Sequence, residues 1–264
     1  MKIMINFIKT IVKSNSILMV IAEKISTNLK INFEDEYKIA SFLENPVIID
    51  IGAHMGESIS GFLKYSKNCK IYSFEPNKRL YKKINKFYNN LKKVKIYNIA
   101  ISNKKITHLF CPKIFGIELS LWSTFSKDYL EQRWTDFTGI NFKKLELSKI
   151  KIKSLKLDVF KFKPQIIKID AEGCELEVIK SSIITIKRNL PILIIEFHHK
   201  NFNEIKSELK KIGYEDYIFY SKSNLFLKIN RNSLKKIIKK KTSTNIVFYS
   251  NKSNLLEKEF FIKV

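Results

Sequence analysis

Apolar residues in this chain occur in short, continuous runs that alternate with stretches of mixed apolar and polar residues. The runs "NPVIIDIG", "KIYSFEP", "VKIYNIAIS", "PQIIKIDAEG" and "PILIIEFHH" are mostly bounded by proline, glycine or other turn residues. Continuous rather than alternating runs are typical of strands buried on both faces, as in a parallel sheet. The stretches between them have helical spacing. Strands that alternate with helices predict an α/β fold with a doubly wound parallel sheet.

The same pattern predicts where each element lies. Five core strands are expected over residues 45–52, 70–76, 94–102, 164–173 and 191–199. Helices are expected over 57–66, 77–90, 174–189 and 201–213, and closing strands over 214–220, 224–229 and 244–250. Residues 112–148 are expected to be an irregular, aromatic insertion and a candidate substrate lid. We predict a helical appendage over residues 1–44 and a main domain over residues 45–264.

The N-terminal appendage contains the apolar stretch "SILMVIAEK", which is too short to span a bilayer. We interpret it as part of one or two amphipathic helices that pack against the domain, with a weak peripheral membrane contact as the alternative. The three cysteines, Cys69, Cys111 and Cys174, are odd in number and lack CxxC spacing. They indicate a cytoplasmic protein without a disulfide framework or a zinc site.

The formal net charge of +24 raises the question of a nucleic-acid partner. Of the 49 basic residues, 45 are lysine and only 4 are arginine. Specific recognition of phosphates and bases favours the bidentate guanidinium group, which is scarce here. The composition therefore favours solvated surface lysines over a specific nucleic-acid site, and an anionic partner is the alternative.

Acidic side chains and imidazoles follow the ends of most predicted strands. In a doubly wound sheet the ligand binds in the crevice at the carboxyl ends of the strands. A chain with 25 acidic and 49 basic residues thus places many of its acids at one edge. The strand ends deliver Asp50, Glu75, Asp170, Glu172, Glu196, His198 and His199. We expect the functional site at this edge.

The first strand end, "DIGAHMG", limits the identity of the ligand. His54 and Glu57 stand where a dinucleotide-binding loop that starts at Gly52 needs glycines, and the chain has no GK[ST] motif. Glu75 lies 19 residues after Gly56, the spacing of an acid that binds the ribose hydroxyls of a nucleoside. S-adenosylmethionine fits both observations. Its carboxylate suits the helix N-terminus after Gly56, and its sulfonium suits an acidic crevice.

Several segments together resemble the FkbM family of S-adenosylmethionine-dependent methyltransferases. They are "VIIDIGAHMGESI", "IYSFEPNKRLYKKI", "NIAISNKK", "SLKLDVF", "IIKIDAEGCELEVIKS" and "PILIIEFH", and they occur in the family's order over residues 45–198. "KIDAEGCELEVIK" is the most specific of them. The resemblance implies a Rossmann-like class I methyltransferase fold that transfers a methyl group to a hydroxyl of a sugar, glycan or small natural product.

The motifs and the family resemblance together predict which residues form the site. The cofactor is expected to be bound by Asp50, Gly52, Ala53, His54, Gly56, Glu75, Pro76, Ala100 and Ser102. The chain departs from the family at Asn103, where members often have an acid. Catalysis is assigned to Asp170, Glu172 and His198. Asp170 is the expected base, because two nearby carboxylates raise each other's pKa. The alternative for Glu172 is a helix cap, and His198 would orient the acceptor.

Other functions remain open at this point. An RNA methyltransferase suits the positive charge, but the Asn/Asp-Pro-Pro-aromatic loop of base amino methylation is replaced by Asp170-Ala171-Glu172-Gly173. Carboxylates at that position would repel a phosphate backbone. A non-catalytic module that binds the cofactor is a third reading. Asp170, Glu196 and His198 also form a mixed carboxylate and imidazole set of the kind that binds metals, but the sequence gives no support for a metal.

Overall fold

A nine-stranded sheet forms the centre of the computed structural model, which describes residues 34–104, 106–114, 116–119, 122–138, 141–197, 201–230 and 245–262. In chain order the strands are β1 (Val47–Ile51), β2 (Lys70–Phe74), β3 (Val94–Tyr97), β4 (Ala100–Ile101), β5 (Ile106–Ile114), β6 (Ile117–Glu118), β7 (Glu146–Leu155), β8 (Ile166–Ile169), β9 (Ile192–Glu196), β10 (Tyr214–Tyr220), β11 (Leu225–Lys228), β12 (Asn245–Ser250) and β13 (Phe261–Ile262). The main sheet has the order β13-β11-β10-β12-β9-β8-β1-β2-β3. Strands β3, β2, β1, β8 and β9 pair in parallel, and β12, β10 and β11 close the sheet antiparallel.

Helices cover both faces of this sheet. They are α1 (Glu57–Tyr65), α2 (Lys78–Tyr88), α4 (Glu175–Ser181), α5 (Ile183–Asn189) and α6 (Phe202–Lys210), whereas α3 (Lys127–Thr138) packs within the insertion. Short 3-10 helices lie at Asp35–Phe42, Phe142–Lys144, Leu157–Phe160 and Lys258–Phe260. None of the helices in these ranges has both the length and the apolar composition needed to cross a bilayer. Residues 1–33, most of the expected helical appendage, lie outside the described part of the chain.

Two apolar clusters, one on each face, explain why the core strands have apolar residues at successive positions. In β1, Ile48 packs with the first 3-10 helix, α1 and α2 on one face, and Ile49 packs with α4, α5 and α6 on the other. Both side chains are fully buried, as are Ile166 and Ile167 in β8. Burial on both faces requires apolar residues at successive positions. The predicted doubly wound sheet is therefore confirmed.

The structure corrects the prediction of an irregular insertion at residues 112–148. That region belongs to a second, four-stranded sheet of order β4-β7-β5-β6, which carries α3. Strands β5 and β7 form a long antiparallel pair, with Ile106 opposite Lys153 and Lys113 opposite Glu146. The segment "SKIKIKS" alternates with period two, so the strand signal was present. The insertion begins at residue 100 and ends at residue 155, because β4 and β7 pair there.

Two predicted elements are each broken in two. The third strand ends at Tyr97, since Asn98 turns its side chain to the carbonyls of Glu75 and Pro76, at 2.8 and 3.0 Å. The helix expected over residues 174–189 breaks between α4 and α5. There the hydroxyls of two consecutive serines bond to the carbonyl of Val178, and Asp158 accepts the N–H of Thr185 at 2.7 Å. Serine side chains that bond to their own backbone compete with helix continuation.

Candidate functional site

A cavity of about 540 Å³ opens at the carboxyl ends of β1, β2 and β8, beneath the second sheet. Its size is that of a small-molecule site. Seven of the nine predicted cofactor residues line it: Gly52, Ala53, His54, Glu75, Pro76, Ala100 and Ser102. The predicted catalytic residues Asp170 and Glu172 line it as well. His198 lies outside the described residues, so its assignment stays a prediction.

Asp50 lies behind the cavity wall and has no exposed surface. One of its carboxylate oxygens accepts the hydroxyls of Ser58 and Ser73, both at 2.9 Å. The other lies 3.9 Å from the ammonium of Lys168. Burial raises the pKa of Asp50 despite these partners. In this structure Asp50 joins β1, β2 and α1 beneath the loop, where it supports the site without lining it.

Lys168 was not singled out from the sequence, although it interrupts an isoleucine run in a strand buried on both faces. Its side chain is 4% exposed, and its ammonium lies 3.1 Å from Asp170 and 3.3 Å from the carbonyl of Gly52. Burial favours the neutral amine, but Asp170 and Asp50 outweigh it and hold the pKa of Lys168 well above its usual range. A charged lysine thus joins the first and fourth core strands at the floor of the cavity.

Two glycines of the "DIGAHMG" loop are needed for reasons that the structure makes explicit. Gly52 has φ +86°, and a Cβ there would lie 1.8 Å from the carbonyl oxygen of Asp170. The backbone of Asp170 therefore excludes a side chain at position 52, whether or not a cofactor is bound. Gly56 begins α1 with φ +88° and lies against Tyr88, 2.9 Å from where its Cβ would be. Gly56 does not line the cavity.

Glu75 ends β2 and is held by backbone donors. One carboxylate oxygen accepts the N–H of His54 at 2.8 Å, and the other accepts that of Asn77 at 2.7 Å. Burial raises the pKa of Glu75 to about 7, although His54 and these hydrogen bonds oppose the rise. A carboxylate oxygen has two lone pairs, so each keeps an acceptor site. The pair of oxygens is thus suited to two neighbouring hydroxyls.

His54 and Glu57 shape the cavity at the start of α1. His54 has φ +50°, and its Nδ1 lies 3.6 Å from Glu57. Burial lowers the pKa of His54, but Glu57, Glu75 and Asp170 outweigh it and raise the pKa overall. Its Nε2 is buried and has no hydrogen-bond partner within the described ranges. Glu57 also accepts the N–H of Met55 at 3.1 Å, so a carboxylate of the protein already lies at the N-terminus of α1.

Asp170 follows β8 and remains 30% exposed in the cavity. Burial alone would raise the pKa of Asp170, but the charge of Lys168 and hydrogen bonds with Glu196 and Lys168 hold it below its usual range. The expectation that carboxylate crowding raises this pKa is therefore wrong, because a buried ammonium stands beside the carboxylate. Asp170 is present as a hydrogen-bond acceptor.

Glu172 does not cap α4. Its carboxylate forms an ion pair with Arg133 of α3, and its backbone carbonyl accepts the hydroxyl of Thr124 at 2.7 Å. The buried Glu175 instead accepts the N–H groups of Ala171 and Gly173, at 3.1 and 2.9 Å. Glu172 thus connects the second sheet and its helix to the strand that carries Asp170.

Sequence reasoning also missed Glu34 and Tyr37, which line the cavity from the first 3-10 helix. Tyr37 packs on Phe62 with ring centroids 4.7 Å apart, and its ring occupies the space beside Gly61. Nothing near these residues in the sequence indicates a contact with β1 and β8. No group of three or more His, Cys, Asp or Glu suited to a metal occurs among the described residues.

The comparison with protein families decides the class of this site. The model of the methyltransferase FkbM domain matches residues 50–215, which is more than half of the chain. The chain belongs to the FkbM methyltransferase family. Its fold is that of a Rossmann-like class I methyltransferase, with helices on both faces of a mostly parallel sheet, and S-adenosylmethionine is the cofactor of the family. No curated protein sequence matches the chain.

Solved structures with a similar fold share little sequence with this FkbM protein. The FkbM methyltransferase from Methylobacillus flagellatus KT has 16% identity and a TM-score of 0.48, with 82% of this chain and 50% of that chain covered. This chain thus spans about half the length of that protein. The precorrin-6y C5,15-methyltransferase from Geobacter metallireducens GS-15 has 11% identity, 84% and 92% coverage and a TM-score of 0.43. An rRNA methylase from Streptococcus thermophilus has 9% identity, 82% and 92% coverage and a TM-score of 0.43.

The donor set fits S-adenosylmethionine. Glu75 offers two oxygens with unused acceptor sites, which match the ribose diol, and the buried His54 Nε2 is an orphaned polar atom in the cavity wall. Acidic side chains at Glu57 and Asp170 match a cationic sulfonium. The bound cofactor supplies an electrophilic methyl group at this cavity.

Proposed function

We propose that this FkbM protein methylates a hydroxyl oxygen of a sugar, a glycan or a small natural product. The observation that carries the proposal is the position of Asp170. It lies at the end of β8, which pairs with β1, the strand that leads into the "DIGAHMG" loop. It also lines the same cavity as Glu75. Methyl transfer depends on positioning the nucleophile in line with the leaving sulfur. A carboxylate at this position can hold the acceptor hydroxyl.

Asp170 suits this role although its pKa is low. The acceptor oxygen becomes strongly acidic as its bond to carbon forms, so a weak base is sufficient to take its proton. The ammonium of Lys168, 3.1 Å away, keeps Asp170 ionised before the reaction. Glu172 is a less suitable base because both its carboxylate and its backbone carbonyl are bound to the insertion, through Arg133 and Thr124. We assign the proton to Asp170 and the connection between the second sheet and β8 to Glu172.

The second sheet supports a small acceptor. Thr107, Leu109, Ser123 and Phe125 line the cavity from the insertion, which gives it a wall of mixed polar and apolar character. Such a wall suits the polar edges and apolar face of a sugar ring. We propose that this sheet and α3 form the lid for the acceptor. The acidic residues of the cavity, Glu57, Glu75 and Asp170 among them, argue against a nucleic-acid phosphate backbone as the natural partner.

We place the reaction in the cytoplasm and assign it to polysaccharide or natural-product biosynthesis. The cysteines at 69, 111 and 174 are free, which suits a reducing compartment. A weak peripheral membrane contact of the N-terminal segment is retained in this proposal. Neither point affects the assignment of Asp170.

The acceptor class is tested with cofactor that carries an isotopic label on its methyl group. The protein is incubated with extracts of the producing organism that are separated into carbohydrate, small-molecule, RNA and protein fractions. We expect the label on a hydroxyl oxygen in the first or second fraction, detected by mass spectrometry. Label confined to RNA or protein would overturn the proposal.

The base is tested in single turnover with the identified acceptor. Asp170→Asn should keep cofactor affinity while the rate falls roughly 10²- to 10⁴-fold. Asp136→Asn, an exposed residue of α3, is the matched control and should leave both quantities unchanged. Full activity of Asp170→Asn would exclude this residue as the base. Loss of cofactor binding would instead make it a ligand of the cofactor.

A further inference from the structure

One end of the cavity has apolar walls and lies next to the acid that faces the ribose. Ala100 and Ile101 of β4 and Val178 of α4 line it, and each is at least nine-tenths buried. Asn98 holds this end against the end of β2, because its side-chain amide donates to the backbone carbonyls of Glu75 and Pro76. A flat apolar ring attached to a ribose at Glu75 has a matching surface here.

Glu177 is the acidic side chain of this end, and it enters from α4. One of its carboxylate oxygens accepts the hydroxyl of Ser102 at 3.1 Å and the backbone N–H of Asn103 at 3.0 Å. The hydroxyl oxygen of Ser102 in turn accepts the N–H of Lys104 at 3.1 Å. Ser102 is therefore already engaged as both donor and acceptor. The second oxygen of Glu177 accepts no hydrogen bond within the described part of the chain, and the residue lines the cavity.

We propose that Glu177 binds the exocyclic amine of the cofactor's adenine and makes this site selective for adenine. The amine is a donor, and an ionised carboxylate is an acceptor with lone pairs to spare. Position 103, which follows Ser102, holds an asparagine, and its backbone donates to Glu177. The carboxylate beside this loop thus comes from a helix, 74 residues further along the chain. The inference concerns the cofactor and is independent of the proposed acceptor.

A purely structural role for Glu177 makes a different prediction. If Glu177 only holds the loop 102–104, its loss weakens the binding of every ligand of this cavity equally. If Glu177 contacts the amine, its loss weakens the binding of adenine compounds alone. Hypoxanthine separates the two cases, because it carries a carbonyl oxygen in place of the amine and would face the carboxylate acceptor to acceptor.

The test compares the dissociation constants of S-adenosylhomocysteine and S-inosylhomocysteine, measured by calorimetry on the full chain. We expect the unsubstituted protein to prefer the adenine compound by on the order of 10- to 100-fold, as for a hydrogen bond to a charged group. Glu177→Met should reduce the preference to less than about threefold. Ser154→Ala is the matched control, because the Ser154 hydroxyl donates to the backbone carbonyl of Lys104, so its loss loosens the same loop but keeps the Glu177 carboxylate. It should retain the preference.

Glu177→Gln covers the case in which the methionine variant does not fold. An amide can turn either its carbonyl or its NH₂ toward the base, so it should bind both compounds and also lose the preference. An unchanged preference in Glu177→Met or Glu177→Gln, even with weaker binding overall, would overturn the proposal. Equal binding of both compounds by the unsubstituted protein would overturn it as well.

Discussion

Neutralising Glu75 should change how the stability of this protein depends on pH. Burial raises the pKa of Glu75 from its ordinary value of 4.5 to about 7. A carboxyl whose pKa is higher in the folded state binds its proton more tightly there, so the protonated form favours folding. This contribution is fully present below about pH 4.5 and is lost as the pH rises through about 7. At about 1.4 kcal/mol per pH unit, the whole contribution amounts to about 3 kcal/mol.

The assay is urea denaturation of the cofactor-free protein at pH 5 and pH 8, at constant salt. The free energy of unfolding should fall between these values by about 2–3 kcal/mol more in the unsubstituted protein than in Glu75→Gln. Burial also raises the pKa of Glu36 to about 7, but that contribution is common to both proteins and cancels in the comparison. The amide also forfeits a hydrogen bond to His54 or Asn77. That cost does not depend on pH, so it too cancels.

Two outcomes of this assay would contradict the prediction for Glu75. An identical pH dependence in both proteins would mean that the Glu75 carboxyl is not desolvated, and the account of this part of the cavity would be refuted. A steeper pH dependence in Glu75→Gln would mean that folding lowers the pKa of Glu75 instead of raising it. Ribose hydroxyls stabilise the ionised form, so binding of S-adenosylhomocysteine at pH 7 should release up to about half a proton. Calorimetry in buffers of different ionisation enthalpy measures that release.

Three further predictions concern the floor of the site and the surface. Lys168→Met leaves the buried carboxylate of Asp50 without its nearby charge and should cost about 3–5 kcal/mol in urea denaturation; a cost below about 1 kcal/mol would contradict the role of Lys168. Gly52→Ala should cost more than about 3 kcal/mol, because its Cβ meets backbone, whereas Gly116→Ala, at φ +73° with open space, should cost about 1–2 kcal/mol. Comparable losses would refute the close contact at Gly52. RNA binding in a filter assay should be weak, insensitive to sequence and steeply salt-dependent, and tight retention of one RNA at about 0.2 M salt would contradict this.

The main sheet was predictable because its signal is local. Continuous isoleucine runs in β1, β8 and β9 indicate burial on both faces, and the ends of β2 and β8 carry Glu75 and Asp170, which line the cavity. The second sheet was missed because lysines alternate with isoleucines in β7, and the pairing with β5 lies more than 30 residues away. The ion pair of Arg133 with Glu172 and the approach of Tyr37 to the cavity have no local signal at all. The pKa of Asp170 was mispredicted because the neighbouring ammonium of Lys168 was not considered.

The pairing of β4 with β7 has a consequence beyond the site itself. The chain enters the second sheet at Ala100 and leaves it at Leu155, and these two points lie on paired strands, with Ala100 opposite Ser154 and Ile101 opposite Leu155. The backbone N–H of Ser102 and the carbonyl of Leu155 close the same junction at 3.0 Å. Everything between them can be lengthened, shortened or exchanged without moving either end. If the second sheet binds the acceptor as we propose, grafting another module at this junction is a direct route to a new acceptor.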